Sequence, residues 1–249
     1  MMANVKKALA NKGFVVGGCI FLAIALIALV GPLVWTVDPN AQEMTLRLSA
    51  PSPAHPFGCD DFGRDLLARV IAGARVSLGV GIAVTLTTSV LGLVIGAYAC
   101  YNERLDHILM RICDGLMSIP GVLLAIALMA MMGASVWNVI IALSIVYTPS
   151  MARIVWLHIV PNVMAPFLVQ ATFVFAEAVL SEAALSFLGL GIKAPDASWG
   201  NILQAGKNVM RKAWWMIFFP ALAIIASVLS LNLAGDGLRD ALDPKTKED

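Results

Sequence analysis

Residues Gly13 to Val37, GFVVGGCIFLAIALIALVGPLVWTV, carry no charged side chain over 25 positions. As an α-helix such a stretch rises about 37 Å, more than the roughly 30 Å hydrocarbon core of a bilayer. Lys6, Lys7 and Lys12 precede it in the manner of a secretory leader. The apolar run is too long for a leader, however, and no small-x-small cleavage pattern follows near Trp35, so the segment reads as an uncleaved anchor. The rest of the 249-residue chain has the same character: 59% of its residues are hydrophobic and 13% charged, which leaves too little polar surface to clothe a water-soluble domain. The lipid bilayer is its solvent, and a free-standing soluble enzyme is excluded.

Outward from this anchor, further charge-free runs repeat the signal. Val76 to Asn102 is long enough to cross a membrane, and it holds Gly92 and Gly96 at the four-residue spacing that lets two helix backbones approach. From Gly115 to Ala152 there are 38 uncharged residues, enough for two crossings with a break at Gly133, Ala134 and Ser135. Val163 to about Leu185 is apolar except for Glu177 and Glu182, and Ala213 to Gly235 has no charge. The expectation is an all-α membrane protein with six transmembrane helices at 14–37, 76–101, 115–132, 136–156, 163–185 and 213–235. The transmembrane domain of 14–235 includes two large loops (38–75 and 186–212), and a short N-terminal segment (1–13) and a tail (236–249) flank it. In the first loop, Pro39, Pro51, Pro53 and Pro56 argue for irregular chain. Its second half should form a short helix lying at the membrane surface, capped by Asp61, with Asp65 paired to Arg69.

Six crossings put both termini on one side. With the termini cytoplasmic, nine Lys and Arg fall inside and eight outside, a bias too small to set the orientation by itself. The net charge of +1 offers no field for a nucleic acid. Cys19, Cys59, Cys100 and Cys113 form no C-x-x-C pair, and the three in or beside apolar runs read as buried, inert thiols. His55, His107 and His158 lie near the ends of crossings and match no metal-ligand spacing, so no metal site and no catalytic set is expected. Gly200 to Lys207 departs from a phosphate-binding loop in its glycine spacing and has Asn208 where a hydroxyl is needed. No cofactor is expected on this chain. Glu177 and Glu182, costly within a bilayer, are candidates to line a substrate path or to sit hydrogen-bonded near its edge.

Several strings are more specific than any of these features. They are His55-Pro56-Phe57-Gly58 with Asp60, Asp61 and Gly63-Arg64-Asp65; Gly73 to Leu78 (GARVSL); Ser181 to Gly191 (SEAALSFLGLG); Ser198-Trp199-Gly200-Asn201; and Asn232 to Pro244 (NLAGDGLRDALDP). In that order they resemble the smaller permease subunit of bacterial dipeptide, oligopeptide and nickel ABC importers, and the likeness covers nearly the whole chain. The resemblance implies a type I importer permease fold, multi-pass in the bacterial inner membrane with cytoplasmic termini. It also implies a second homologous permease, two ATP-binding subunits and an extracytoplasmic solute-binding protein as partners.

One departure stands out. Between the fourth and fifth crossings that family carries a cytoplasmic loop with a Glu-Ala-Ala motif, closed by His-x-x-Pro-Asn, whose helix sits in a groove of the ATPase. Here Ala152-Arg153-Ile154-Val155-Trp156 runs directly into Leu157-His158-Ile159-Val160-Pro161-Asn162. Arg153, His158, Pro161 and Asn162 are the surviving edges of that contact loop, and its docking helix is missing between Trp156 and Leu157. The expectation is a peptide-type permease whose coupling to ATP hydrolysis is lost. Three alternatives stay open: a non-transporting assembly partner or remnant, a secondary transporter or channel, and an intramembrane enzyme. The crossings offer few of the polar groups that the last two would need.

Overall fold

The computed structural model describes residues 11–157 and 164–242. These residues form eight α-helices: α1 (Lys12–Val34), α2 (Leu66–Tyr101), α3 (Glu103–Met117), α4 (Gly121–Met132), α5 (Val136–Leu157), α6 (Met164–Phe187), α7 (Trp199–Lys207) and α8 (Trp215–Leu242). Five of them (α1, α2, α5, α6 and α8) are long and apolar enough to cross a bilayer, and the sharply bent pair α3 and α4, counted as one span, brings the number to six. The largest core gathers Leu66, Val70 and Leu78 of α2, Val179 and Ala183 of α6, Trp199 and Ile202 of α7, and Met216 and Ile224 of α8. Outward faces remain apolar, as at Leu33, Leu86, Trp137 and Ile225, because lipid or another subunit covers them in place of water.

The bundle has two distinct ends. At one, Asn11 before α1 donates to Asp240 of α8 at 3.3 Å, and the Cys100 thiol in the last turn of α2 reaches the carbonyls of Val155 and Trp156 at the end of α5. The start of α1, the last turn of α8 and the end of α5 therefore share that end, the termini-bearing end of the described residues. At the other end, the Trp35 indole beyond α1 donates to Asp65, the N-cap of α2, at 3.0 Å. The two large loops fold over this second end.

The short surface helix expected over the second half of the first loop does not exist as a separate element. Its residues are the first turns of α2, a continuous helix of 36 residues, about 54 Å long, and Leu66, Ala68, Val70 and Ile71 are buried there. The cap is Asp65, not Asp61: its Oδ1 accepts the Ala68 N–H at 2.7 Å. Asp65 is likewise not the partner of Arg69. The carboxylate is taken by Trp35 and by His55 Nδ1 at 2.8 Å, while Arg69 lies 3.5 Å from Asp60 and donates to the Pro39 carbonyl. The helix runs on without interruption because the loop around Trp199 covers it, supplying the burial that a surface-lying helix would have drawn from lipid.

The third crossing also departs from expectation. Residues 115–132 do not form one helix: α3 and α4 meet at 91° across Ser118-Ile119-Pro120. Pro120 has no N–H to continue a helix and disfavours α conformation at Ile119. Only the 12 residues of α4, about 18 Å, continue as the fully apolar arm. The charged α3 packs against the ends of α2 and α5. The break before α5 lies where the sequence put it: Gly133 has φ +82°, and Asn138 Nδ2 donates to the Met132 and Gly133 carbonyls.

Helices α2 and α5 pack closely through Gly92 and Gly96. A Cβ at Gly92 would lie 2.5 Å from Met151 Cβ, and one at Gly96 would lie 2.7 Å from the Ala152 carbonyl oxygen and 2.6 Å from Val155 Cβ. The glycine pair thus sets the distance between two crossings. Gly96→Val should lower stability by about 1–3 kcal/mol through overpacking. Denaturant unfolding in detergent micelles checks this, and Gly79→Ala, at a position with open space around it, should leave the midpoint near that of the parent.

Candidate functional site

Two polar clusters order the end opposite the termini. In the first, Asp60 Oδ1 accepts the N–H groups of Phe62 and Arg64, and Oδ2 takes Arg64 Nε at 2.6 Å. The same loop is fastened to α8, because the Trp215 indole donates to the Cys59 carbonyl at 3.1 Å and the Phe57 and Phe219 rings stack 3.8 Å apart. Cys59 is fully buried here; burial first, then the charges of Asp65, Asp60 and Glu43, push its thiol up to about 11. Of the three cysteines expected to be buried, Cys113 is enclosed, whereas Cys19 and Cys100 lie on exposed faces.

The second cluster is built around Glu182, which has 0% exposure. Its carboxylate accepts from Ser77 of α2 and from Ser186 one turn further along α6, each at 2.7 Å, and Ser77 Oγ in turn accepts the N–H of Trp199, the first residue of α7, at 3.4 Å. Ser186 Oγ in turn accepts the Ile192 N–H at 3.0 Å, and the Trp199 indole donates to the Val70 carbonyl at 3.0 Å. One carboxyl thereby joins two crossings to the loop helix. Glu182 is a structural node in this arrangement, fully enclosed within the chain.

Glu177 is placed differently. It lies near the middle of α6 on an exposed face, and its carboxylate has no hydrogen-bond or ion-pair partner among the described residues. The Tyr147 hydroxyl reaches the Glu177 backbone carbonyl at 3.4 Å and Ser181 Oγ at 2.7 Å, so Tyr147 does not satisfy the side chain. A solitary carboxylate at that depth demands water or a polar group from another chain.

At the termini-bearing end, Arg153 in α5 pairs with Asp114 in α3. Helix α5 ends at Leu157 and α6 begins at Met164. His158, Pro161 and Asn162 lie outside the described residues, so of the four loop-edge residues only Arg153 is placed, and it braces α3 against α5. His55 pairs with Asp65 and His107 is exposed on α3; neither joins a catalytic pair. Among the described residues no three His, Cys, Asp or Glu side chains gather in a metal-binding group.

Sequence reasoning singled out Glu182 but not its serines. Ser186, four residues on, is the one legible partner; Ser77 joins through the tertiary fold. Asp60 with Arg69 was missed for the same reason.

The family of binding-protein-dependent transport system inner membrane components matches residues 88–156 and 150–248, and the N-terminal transmembrane domain of oligopeptide transport permease C matches residues 5–51. A peptide transport system permease protein of Brucella abortus is 40% identical over 274 aligned positions, which cover 99% of this chain and 93% of the relative. A dipeptide transport system permease of Alkalihalophilus pseudofirmus is 39% identical over 95% of this chain and 87% of its own length. A di/tripeptide transport system permease of Pseudomonas aeruginosa is 36% identical over 95% and 89%. An alignment of 274 positions against a chain of 249 residues leaves at least 25 positions where this chain has no residue. The family match itself comes in two pieces that meet at 150–156.

Removing the Glu182 carboxyl would strand the hydroxyls of Ser77 and Ser186 in an enclosed site. Glu182→Ala should therefore cost about 2–4 kcal/mol, since each buried polar group left unpaired costs about 1–3 kcal/mol. Glu182→Gln, which keeps an acceptor oxygen, should cost less. Thermal unfolding in detergent checks the order; equal stability of Glu182→Ala and the parent would contradict the node.

Proposed function

The chain belongs to the family of inner membrane components of binding-protein-dependent transport systems, and from that premise we propose how it works and what it lacks. It is the transmembrane permease subunit of an ATP-driven peptide importer. It performs no bond chemistry: ATP hydrolysis lies on partner subunits. In our reading it sits in a bacterial inner membrane with both termini cytoplasmic, beside a second homologous permease that supplies the other half of the translocation path. Two ATP-binding subunits belong at the termini-bearing end and a solute-binding protein at the other. This orientation rests on the likeness to the family, because nine Lys and Arg on one side against eight on the other leave the charge bias too small to set it.

The observation that carries the half-path reading is Glu177, exposed at mid-span with no partner of its own. A carboxylate there is tolerable only if it faces a watery route or a polar group of the second permease. Glu182, enclosed by its serines, has no part in that route.

The two-piece family match, meeting where α5 gives way to α6 after six intervening residues, supports a second statement. The coupling loop has been removed at a point where its loss spares the bundle. Two antiparallel helices need a connection of only about two to eight residues, so α5 and α6 still turn back on one another. Force transmission is different, since an ATPase moves a permease by pushing on a rigid element seated in it. We infer that this chain assembles in the membrane and imports peptide poorly or not at all.

Inserting a family-like loop with its Glu-Ala-Ala helix between Trp156 and Leu157, in cells that supply the partners, should raise uptake of a labelled tripeptide at least about tenfold, the equivalent of about 1.4 kcal/mol. Glu177→Gln in that restored chain should lower the uptake again. Equal uptake with and without the insert would show that coupling is intact in the shorter chain.

A further inference from the structure

At the end opposite the termini, a cavity of about 740 Å³ opens between the loop that enters α2 and the loop that carries α7. Its size falls within the roughly 300–1,000 Å³ of small-molecule sites. Four basic side chains, Arg64, Arg69, Lys193 and Lys207, line it together with a single acid, Asp60. The acid is already committed: both guanidinium groups face Asp60 Oδ2, at 2.6 and 3.5 Å, and Oδ1 is taken by two backbone N–H groups. Asp61 lies 3.9 Å from Arg64 Nη2 and does not line the cavity.

Counting Asp61 against Arg64 still leaves the two lysines without an acid. Lys193 is exposed and Lys207 lies with its ammonium 5.7 Å from the Phe187 ring centre; neither has a carboxylate within 4 Å among the described residues. Gln204 also lines the cavity, with a side-chain amide that has no hydrogen-bond partner among the described residues. The base of the cavity is apolar, formed by Ile202 and Met216, both buried. Exposed cations, an amide and a buried apolar base in one cavity together describe a ligand with an anionic end, a hydrogen-bonding backbone and short apolar side chains.

We propose that this cavity is a subsite for a short peptide, holding its C-terminal carboxylate between Lys193 and Lys207. The proposal rests on the reading of the chain as a peptide permease and adds to it where the cargo first meets this subunit. Lysine ammonium groups, as flexible point charges, attract a carboxylate whatever its exact angle. The buried Arg64–Asp60–Arg69 group keeps the wall in place. Such a subsite would hold the free C-terminus that peptides released to the permease have in common, leaving the side chains to the apolar base.

The test measures binding of trialanine and of trialanine amide to the full-length chain in lipid nanodiscs at neutral pH. The free acid should bind about tenfold more tightly than the amide. Lys193→Gln combined with Lys207→Gln should erase that preference while leaving amide binding and the unfolding temperature unchanged. Lys207→Arg should keep it. Equal affinity for the two peptides, a preference that survives the double substitution, or no binding of either peptide would each overturn the proposal. So would a double variant that keeps the preference but no longer retains the solute-binding protein, which would assign the lysines to protein docking. Peptide uptake by the loop-restored chain judges the permease reading separately, so the subsite can fail while that reading stands.

Discussion

A bilayer offers no water to an orphaned polar group, and this constraint shapes the chain from its composition to the exposed acid near the middle of α6. Every polar side chain carried into the crossings must find a partner inside the fold or from another subunit. Glu182 shows the first solution, one carboxyl accepting from a serine of α2 and a serine of α6. Glu177 shows what the second demands, since nothing within the described chain meets it. The same helix thus carries one acid that finishes the subunit and another that leaves it unfinished.

The six-crossing frame was legible because charge-free runs of this length have few other uses. Gly92 with Gly96, and the break at Gly133, were legible because a missing side chain or a positive φ serves a local purpose that spacing can reveal. The start of α2 was not. Asp61 and Asp65 are equally plausible caps on paper, and the choice was made by Trp35 and His55, which arrive from elsewhere in the chain to occupy Asp65. The bend between α3 and α4 had a visible cause in Pro120, but an uninterrupted apolar composition outweighed it in the reading. Of the partners of Glu182, Ser77 stands 105 residues away and could be found only in the fold.

On the proposed reading, the position of the missing stretch would let a permease lose its drive and keep its form. It falls where two crossings end side by side, at the end where Arg153 and Asp114 still clasp α5 to α3 and where Cys100 of α2 meets the last turn of α5. The core around Trp199 and the Glu182 node lies toward the other end and shares no residue with the removed stretch. Folding and coupling are thereby separated along the length of the molecule: the end bearing the two large loops holds the bundle together, and the end bearing the termini would have met the motor.

Co-purification measures that separation directly. The chain, expressed with a second permease and the ATP-binding subunits and isolated in mild detergent by a tag on its own C-terminus, should retain the second permease in equal amount and lack the ATP-binding subunits. Recovery of two ATP-binding subunits per permease pair would contradict the account, because docking would then have survived without the loop that should carry it.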